Sequence, residues 1–233
     1  MKPDWFKQFL EWVADVFFPL RCPFCGEVID KGATCCDCCF AKLSLIRLED
    51  FCPGCGKREC VCGTVPLLVM TRPVFRYSGQ AGQAVRRMKF GHRPGAAIPL
   101  GQFMADAVRS EGSSWDMIVP IPMTKRKVRR RGYNQSELLG RSAAKQLQIP
   151  LETALHKIRE TRAQHKLDQE ERAKNLLGAY QADPALVQGK RILLCDDVLT
   201  TGATLREGAK ALLQAGAAEV GAVVLCSVEK DNV

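Results

Sequence analysis

The sequence predicts an α/β protein, a mostly parallel sheet flanked by helices, with a small cysteine-rich domain ahead of it. From residue 65 onward, short apolar runs of strand character alternate with stretches of helical periodicity. Before that point, ten of the 12 cysteines crowd between Cys22 and Cys62, and only Cys195 and Cys226 lie elsewhere. A chain of 233 residues can hold one large domain or two unequal ones. The change of texture sets the expected division at 1–19, 20–64 and 65–233.

The segment Trp5–Leu20 is apolar, but Lys7, Glu11 and Asp15 interrupt it too often for a signal-peptide core or a membrane span. Phe6, Phe9, Leu10, Val13, Val16 and Phe17 recur at helical spacing, so residues 1–19 are expected to form an amphipathic helix packed on the rest. With no export signal the expected compartment is the reducing cytoplasm, where clustered cysteines bind metal rather than pair as disulfides.

Cys22-Pro-Phe-Cys25-Gly and Cys52-Pro-Gly-Cys55-Gly are two copies of one turn, each with thiols three apart and a glycine that lets the chain turn beneath a metal. Cys36 and Cys39 follow the first copy, and Cys60 and Cys62 the second. Two four-thiolate zinc ribbons are the simplest assignment, holding one or two structural Zn²⁺ ions, since four thiolates leave no open position for a catalytic water. Spacing alone leaves a second register open, because Cys35 and Cys38 overlap Cys36 and Cys39 at the same separation.

In the second part, strands are expected at 73–77, 117–121, 191–195 and 219–228, and helices near 80–89, 101–110, 136–147 and 205–215. Runs such as Met-Ile-Val-Pro-Ile are apolar without alternation, the pattern of strands buried on both faces of a parallel sheet. The run Ile192–Cys195 meets two acids, Asp196 and Asp197, then Val198-Leu199 and the turn Thr200-Thr201-Gly202-Ala203-Thr204 before a helix. At the carboxyl end of a strand this is where an α/β sheet binds ligands. Gly202 permits successive N–H groups to converge, and the helix N-terminus and threonine hydroxyls add donors suited to a phosphate monoester. The paired carboxylates suit the vicinal hydroxyls of a ribose, or a metal-bound water.

Charge is uneven too. Residues 1–64 hold 8 Lys/Arg against 9 Asp/Glu, and residues 65–233 hold 26 against 16, so any polyanion should bind the second part. Lys125, Arg126, Lys127, Arg129, Arg130 and Arg131 form a dense basic run, with Tyr133 just beyond it available for base stacking. This run suits either a lid over a diphosphate or a nucleic-acid contact. Arg86, Arg87, Lys89, His92 and Arg93 form a second basic cluster that would extend the track.

The block Asp196–Thr204 resembles the signature of type I phosphoribosyltransferases. Further motifs make the chain similar to the ComF family of phosphoribosyltransferase-like competence proteins: Phe17-Phe18-Pro19, the knuckle at Cys22, Met88-Lys89-Phe90, Val119-Pro120-Ile121-Pro122, Arg131-Gly132-Tyr133-Asn134-Gln135, and Thr161-Arg162-Ala163-Gln164 with Arg172 and Asn175. The match runs nearly end to end, and Arg131–Gln135 is its most family-specific part. The resemblance implies a type I phosphoribosyltransferase-like fold that binds 5-phosphoribosyl-1-pyrophosphate (PRPP). Asp196 and Asp197 would hold the ribose hydroxyls and Thr200 to Thr204 the 5-phosphate, with Val198 and Leu199 in the same PRPP-binding set, and Pro120 and Ile121 would lie in the pyrophosphate loop. Lys89 and Arg131 would neutralise diphosphate charge and complete the catalytic set, with Mg²⁺ bridging the diphosphate. It further implies a role in DNA uptake during natural transformation, with single-stranded DNA and other uptake proteins as partners. The alternative is a metabolic phosphoribosyltransferase with an unidentified acceptor.

Overall fold

Four apolar runs become one parallel sheet in the computed structural model, which describes residues 19–30, 32–60, 62, 67–91, 93–159 and 176–228 and positions 5, 12, 13 and 17. The strands are β1 (Met70–Arg76), β2 (Met117–Pro120), β5 (Arg191–Leu199) and β6 (Glu219–Ser227), in the order β1-β6-β5-β2. Two three-residue strands, β3 (Leu155–Lys157) and β4 (Tyr180–Ala182), pair antiparallel apart from that sheet. The helices are α1 (Asp37–Phe40), α2 (Gly79–Phe90), α3 (Ala97–Ser110), α4 (Lys125–Arg131), α5 (Gln135–Leu147), α6 (Pro184–Val187) and α7 (Ala203–Gln214).

Period-2 geometry explains the non-alternating strands. Leu193, Cys195, Val223 and Leu225 face a core shared with α2, α3 and α5. Ile192, Leu194, Val220, Ala222 and Val224 face the opposite core with α7 and the β3–β4 pair. Both faces of the sheet are covered, so the middle stretches of the central strands, residues 192–195 and 220–226, are apolar throughout.

β5 runs longer than its sequence suggests. The run expected to stop at Cys195 continues to Leu199, because β6 pairs with it as far as Leu199↔Ser227. β2 leaves earlier: its last partner pair is Pro120↔Cys195, and Ile121 N–H donates to the Cys195 carbonyl. Asp196 and Asp197 therefore lie inside a strand, at the level where one neighbour has departed.

The thiols gather as two sets, Cys22/Cys25/Cys36/Cys39 and Cys52/Cys55/Cys60/Cys62, with all sulfurs of a set within 4.8 Å of one another. The Cys25–Cys36 and Cys52–Cys62 sulfur separations are 3.6 Å, close to the roughly 3.8 Å edge of a tetrahedron with Zn–S of about 2.3 Å. The chain thus selects Cys36 and Cys39 over Cys35 and Cys38. Burial, followed by the charges of Cys22 and Cys36, pushes the Cys35 thiol up to about 11.

This cysteine-rich region closes the β1 edge. Leu45 bridges Phe75 antiparallel, with Ile46 N–H donating to the Val74 carbonyl and Arg76 N–H to the Ser44 carbonyl. Phe24 of the first knuckle meets Phe75 and Phe103 edge-on at 5.8 and 6.2 Å between centroids. Arg72 on β1 is 7% exposed. It donates to the Ile46 carbonyl at 3.0 Å, lies over the Phe51 ring and pairs with Glu111 at 3.5 Å. At the second knuckle Thr71 donates from Oγ1 to the Gly54 carbonyl at 2.8 Å and from its N–H to the Pro53 carbonyl. Gly56 adopts φ +66, and a Cβ there would lie 2.6 Å from Thr71 Cγ2 and 3.0 Å from Leu199 Cδ2.

Trp5, Trp12, Val13 and Phe17 are helical and Pro19 is not, and the other positions of the expected N-terminal helix lie outside the described residues, as do His92 and Thr161–Gln164, Arg172 and Asn175. Among the described residues no helix is long and apolar enough to cross a membrane.

Two outcomes follow for stability. Stripping Zn²⁺ with a chelator should lower the melting temperature of the whole chain, not of a separate ribbon transition, because the ribbons share the β1 core. A calorimetric scan with two resolved transitions and an unchanged upper one would contradict this. Gly56→Ala should cost about 2–4 kcal/mol, from a left-handed φ and a Cβ overlap against β1. Chemical denaturation measures it, and a loss under 1 kcal/mol would mean the knuckle is not seated as described.

Candidate functional site

The departure of β2 creates the site. Asp196 and Asp197 sit at the carboxyl end of β5, beside the turn that carries Thr200–Gly202 into α7. Gly202 caps α7 at φ 76, ψ 0. Ala203 N–H points to Thr201 Oγ1 at 3.4 Å, and Arg206 Nη1 donates to the Thr201 carbonyl at 3.0 Å. The loop is thus already folded around the N-terminus of a three-turn helix, whose free N–H groups favour an anion. The helix cap is Gly202 rather than a threonine.

Each acid has its own support. Ser136 in the first turn of α5 donates its hydroxyl to Asp196 Oδ1 at 2.8 Å, and the Asp197 N–H donates to the same oxygen at 2.9 Å. Asp196 keeps some solvent contact but is packed deep among protein atoms. That desolvation, then the Asp197 carboxylate, raises its carboxyl to about 7 against the pull of Ser136 and Lys89. Asp197 Oδ2 pairs with Lys89 Nζ at 3.0 Å, with side-chain exposures of 13% and 23%.

The segment between β2 and α5 is tied to the same place. Asn134 donates from Nδ2 to the Ile121 carbonyl at 3.0 Å and accepts from the Ser136 N–H at 3.2 Å, capping α5. Arg131 donates to Gln135 Oε1 at 2.5 Å, and the Tyr133 hydroxyl to the Met88 carbonyl at 2.5 Å. The Arg131–Gln135 block therefore ties the segment just after β2 to α2 and α5. A cavity of about 410 Å³ opens beside it, lined by Pro120, Pro122, Tyr133, Asn134, Leu155 and His156 among others. A second space of about 140 Å³ lies between the second knuckle (Gly54, Cys55, Cys62) and the loop residues Leu199, Gly202 and Arg206.

The sequence-predicted cations Lys89 and Arg131 both come to the acids: Lys89 by direct pairing and Arg131 close enough to feel the Asp197 charge. One further cation arrives that the sequence did not point to. Lys157 on β3 lies over the Tyr180 ring of β4 at 5.4 Å. Burial first, then Lys127 and Arg159, draw its ammonium down to about 8, against the attraction of Asp196. Desolvation, then Arg131, Arg130 and Lys89, likewise lower Lys127. Lys157, Lys127, Lys89 and Arg131 thus gather positive charge near Asp196 and Asp197, an environment that favours an anion. The hairpin was invisible in the sequence because three-residue strands leave no period to read.

The basic run forms α4, capped by Thr124 and closed at Gly132. Lys125, Arg126, Lys127, Arg129 and Arg130 are exposed, and none is paired with an acid among the described residues. The arginines of the other cluster lie against the protein. Arg86 lies over the Tyr77 ring, Arg87 donates to the Phe24 carbonyl, and Arg93 sits against Gly26.

Comparison with known proteins follows the same division. Residues 93–232 match the phosphoribosyl transferase domain and residues 13–67 the double zinc ribbon domain. The chain is 32% identical over 192 residues to the DNA utilization protein YhgH of Escherichia coli, covering 76% of this chain and 84% of that protein. It is 28% identical over 222 residues to Competence protein F of Haemophilus influenzae, covering 88% and 95%. With Competence protein ComFC of Bacillus subtilis it shares 28% over 201 residues, covering 84% and 73%. The chain therefore belongs to the phosphoribosyltransferase-domain proteins of the ComF family, and its cysteine-rich region is a double zinc ribbon.

Proposed function

We propose that the chain binds PRPP with Mg²⁺ at the carboxyl end of β5 and acts on single-stranded DNA during its uptake or use. One observation carries the first part: Asp196 and Asp197 stand on β5 beyond the end of β2, between a preformed phosphate loop and a cluster of cations. Asp196 and Asp197 accept the ribose hydroxyls, the N–H groups and hydroxyls of Thr200–Thr204 hold the 5-phosphate, and Lys89, Arg131, Lys127 and Lys157 face the diphosphate. The hard carboxylate oxygens fit Mg²⁺, which neutralises and polarises the leaving group when bound. Transfer, where an acceptor is present, breaks the C1–O bond to pyrophosphate and forms a bond from C1 to the acceptor. The protein's contribution is to fix the sugar and stabilise the departing charge rather than to form a covalent intermediate.

The second part rests on the exposed cations of α4 and on the names of the relatives, which are called competence and DNA utilization proteins. Transfer to a small metabolic acceptor remains the competing reading, and PRPP-dependent pyrophosphate release in a screen of nucleobases and single-stranded DNA separates the two.

Calorimetry with PRPP and Mg²⁺ tests the site. Wild type should bind, and Asp196→Asn or Asp197→Asn should weaken binding at least about 10-fold, the loss of a hydrogen bond to a charged group; no heat with wild type overturns the assignment. Binding needs Asp196 ionised, and its free-state value is near 7. Affinity should therefore rise as pH rises through about 7, with proton release on binding below it. Asp196→Asn should lose that component while keeping the part due to the phosphates of PRPP itself.

Single-stranded DNA binding should weaken with salt. Neutralising the five exposed α4 cations should flatten the log–log salt slope by up to about 3.5. A slope unmoved by those substitutions places the strand elsewhere.

A further inference from the structure

Phe90 is the last residue of α2, adjacent to Lys89, and it is 70% exposed. Nothing in the core uses its ring, which would gain about 2 kcal/mol from burial. Its contact is instead the Arg131 guanidinium, 5.4 Å from the ring centroid. Both members are fixed from behind. Tyr133 holds the Met88 carbonyl in the same turn of α2, and Gln135 holds Arg131. The result is an aromatic and guanidinium surface open to solvent, formed by the neighbour of Lys89, which pairs with Asp197, and by the last residue of α4, whose other cations are exposed and unpaired with acids among the described residues.

We infer that Phe90 is a base-stacking platform for single-stranded nucleic acid, with the strand's phosphates lying along α4. This rests on the nucleic-acid part of the proposed function and extends it to a particular residue. An exposed aromatic face beside a row of free cations is the pairing that single-strand binders use: the cations track the backbone and the ring takes a base. Tyr133, the aromatic that the sequence offered for this role, is half-buried and spends its hydroxyl on Met88. Phe90 takes that place. The strand is favoured over a duplex because stacked pairs do not present a free base face. The platform also sets a base beside the residues that hold the sugar, so a strand on α4 and PRPP at β5 would meet at Phe90.

Fluorescence anisotropy with an oligothymidylate of about 15 nucleotides, within the span of such sites, and an abasic strand of the same length tests this. Phe90→Ala should weaken oligothymidylate binding roughly 5- to 150-fold, as expected for one lost stacked base, and leave the abasic strand unaffected. Phe90→Trp should restore binding to the base-bearing strand. If wild type binds oligothymidylate with the expected salt dependence and Phe90→Ala binds it equally well, the platform is overturned while the nucleic-acid reading stands. Equal losses on both strands also overturn it, since the ring would then act only by holding Arg131. No binding by wild type overturns both.

Discussion

Everything at the site follows from a difference in strand length. β5 stays paired with β6 through Leu199, whereas β2 leaves at Pro120. For four residues, Asp196 to Leu199, the strand has one sheet neighbour where upstream it had two. Two acids in the middle of a parallel strand would ordinarily meet apolar layers on both faces. Here the missing neighbour opens a crevice, and Ser136 and Lys89 fill the hydrogen-bonding needs that water would have met. The raised value of Asp196 is the electrostatic trace of that position. A carboxyl held partly protonated at neutrality is poised to gain from a ligand that donates hydroxyls to it.

The zinc ribbons make the arrangement rigid from the far edge. Their chain pairs with β1 at Leu45, their first knuckle packs Phe24 edge-on against the touching pair Phe75 and Phe103, and the Phe24 carbonyl accepts from Arg87 on α2. The same helix carries Lys89 and Phe90. The first ribbon therefore helps aim the residues beside the acids, and the second places Gly56 against Leu199 at the end of β5, where the turn into α7 begins. Metal that takes no part in chemistry is still placed to affect ligand binding through these contacts.

Features with local chemistry were legible in the sequence. The thiol spacing pointed to the zinc ribbons, the Asp-Asp to Thr-Thr-Gly block marked the turn from β5 into α7, and uninterrupted apolar runs pointed to a doubly covered sheet, because each signal resides within a few neighbouring residues. What depended on tertiary pairing was not. β5 extends through two residues of poor strand propensity because β6 supplies the hydrogen bonds. The choice of Cys36 and Cys39 requires seeing which sulfurs converge. Lys157 and Tyr180 come from strands too short to show alternation, and Ser136 reads as an ordinary first-turn serine until Asp196 is beside it. Nothing in the spacing of Phe90 distinguishes an exposed ring from a buried one at the end of an amphipathic helix.

The central claim is that the carboxylates of β5 and the loop after it hold one phosphorylated ribose between them. A crystal structure of the chain with PRPP and Mg²⁺ measures this directly. The account predicts ribose hydroxyls within hydrogen-bonding distance of Asp196 and Asp197 and the 5-phosphate against the backbone of residues 200–204. A ligand whose 5-phosphate rests on α4 instead, or whose ribose leaves Asp196 bonded only to Ser136, would contradict it.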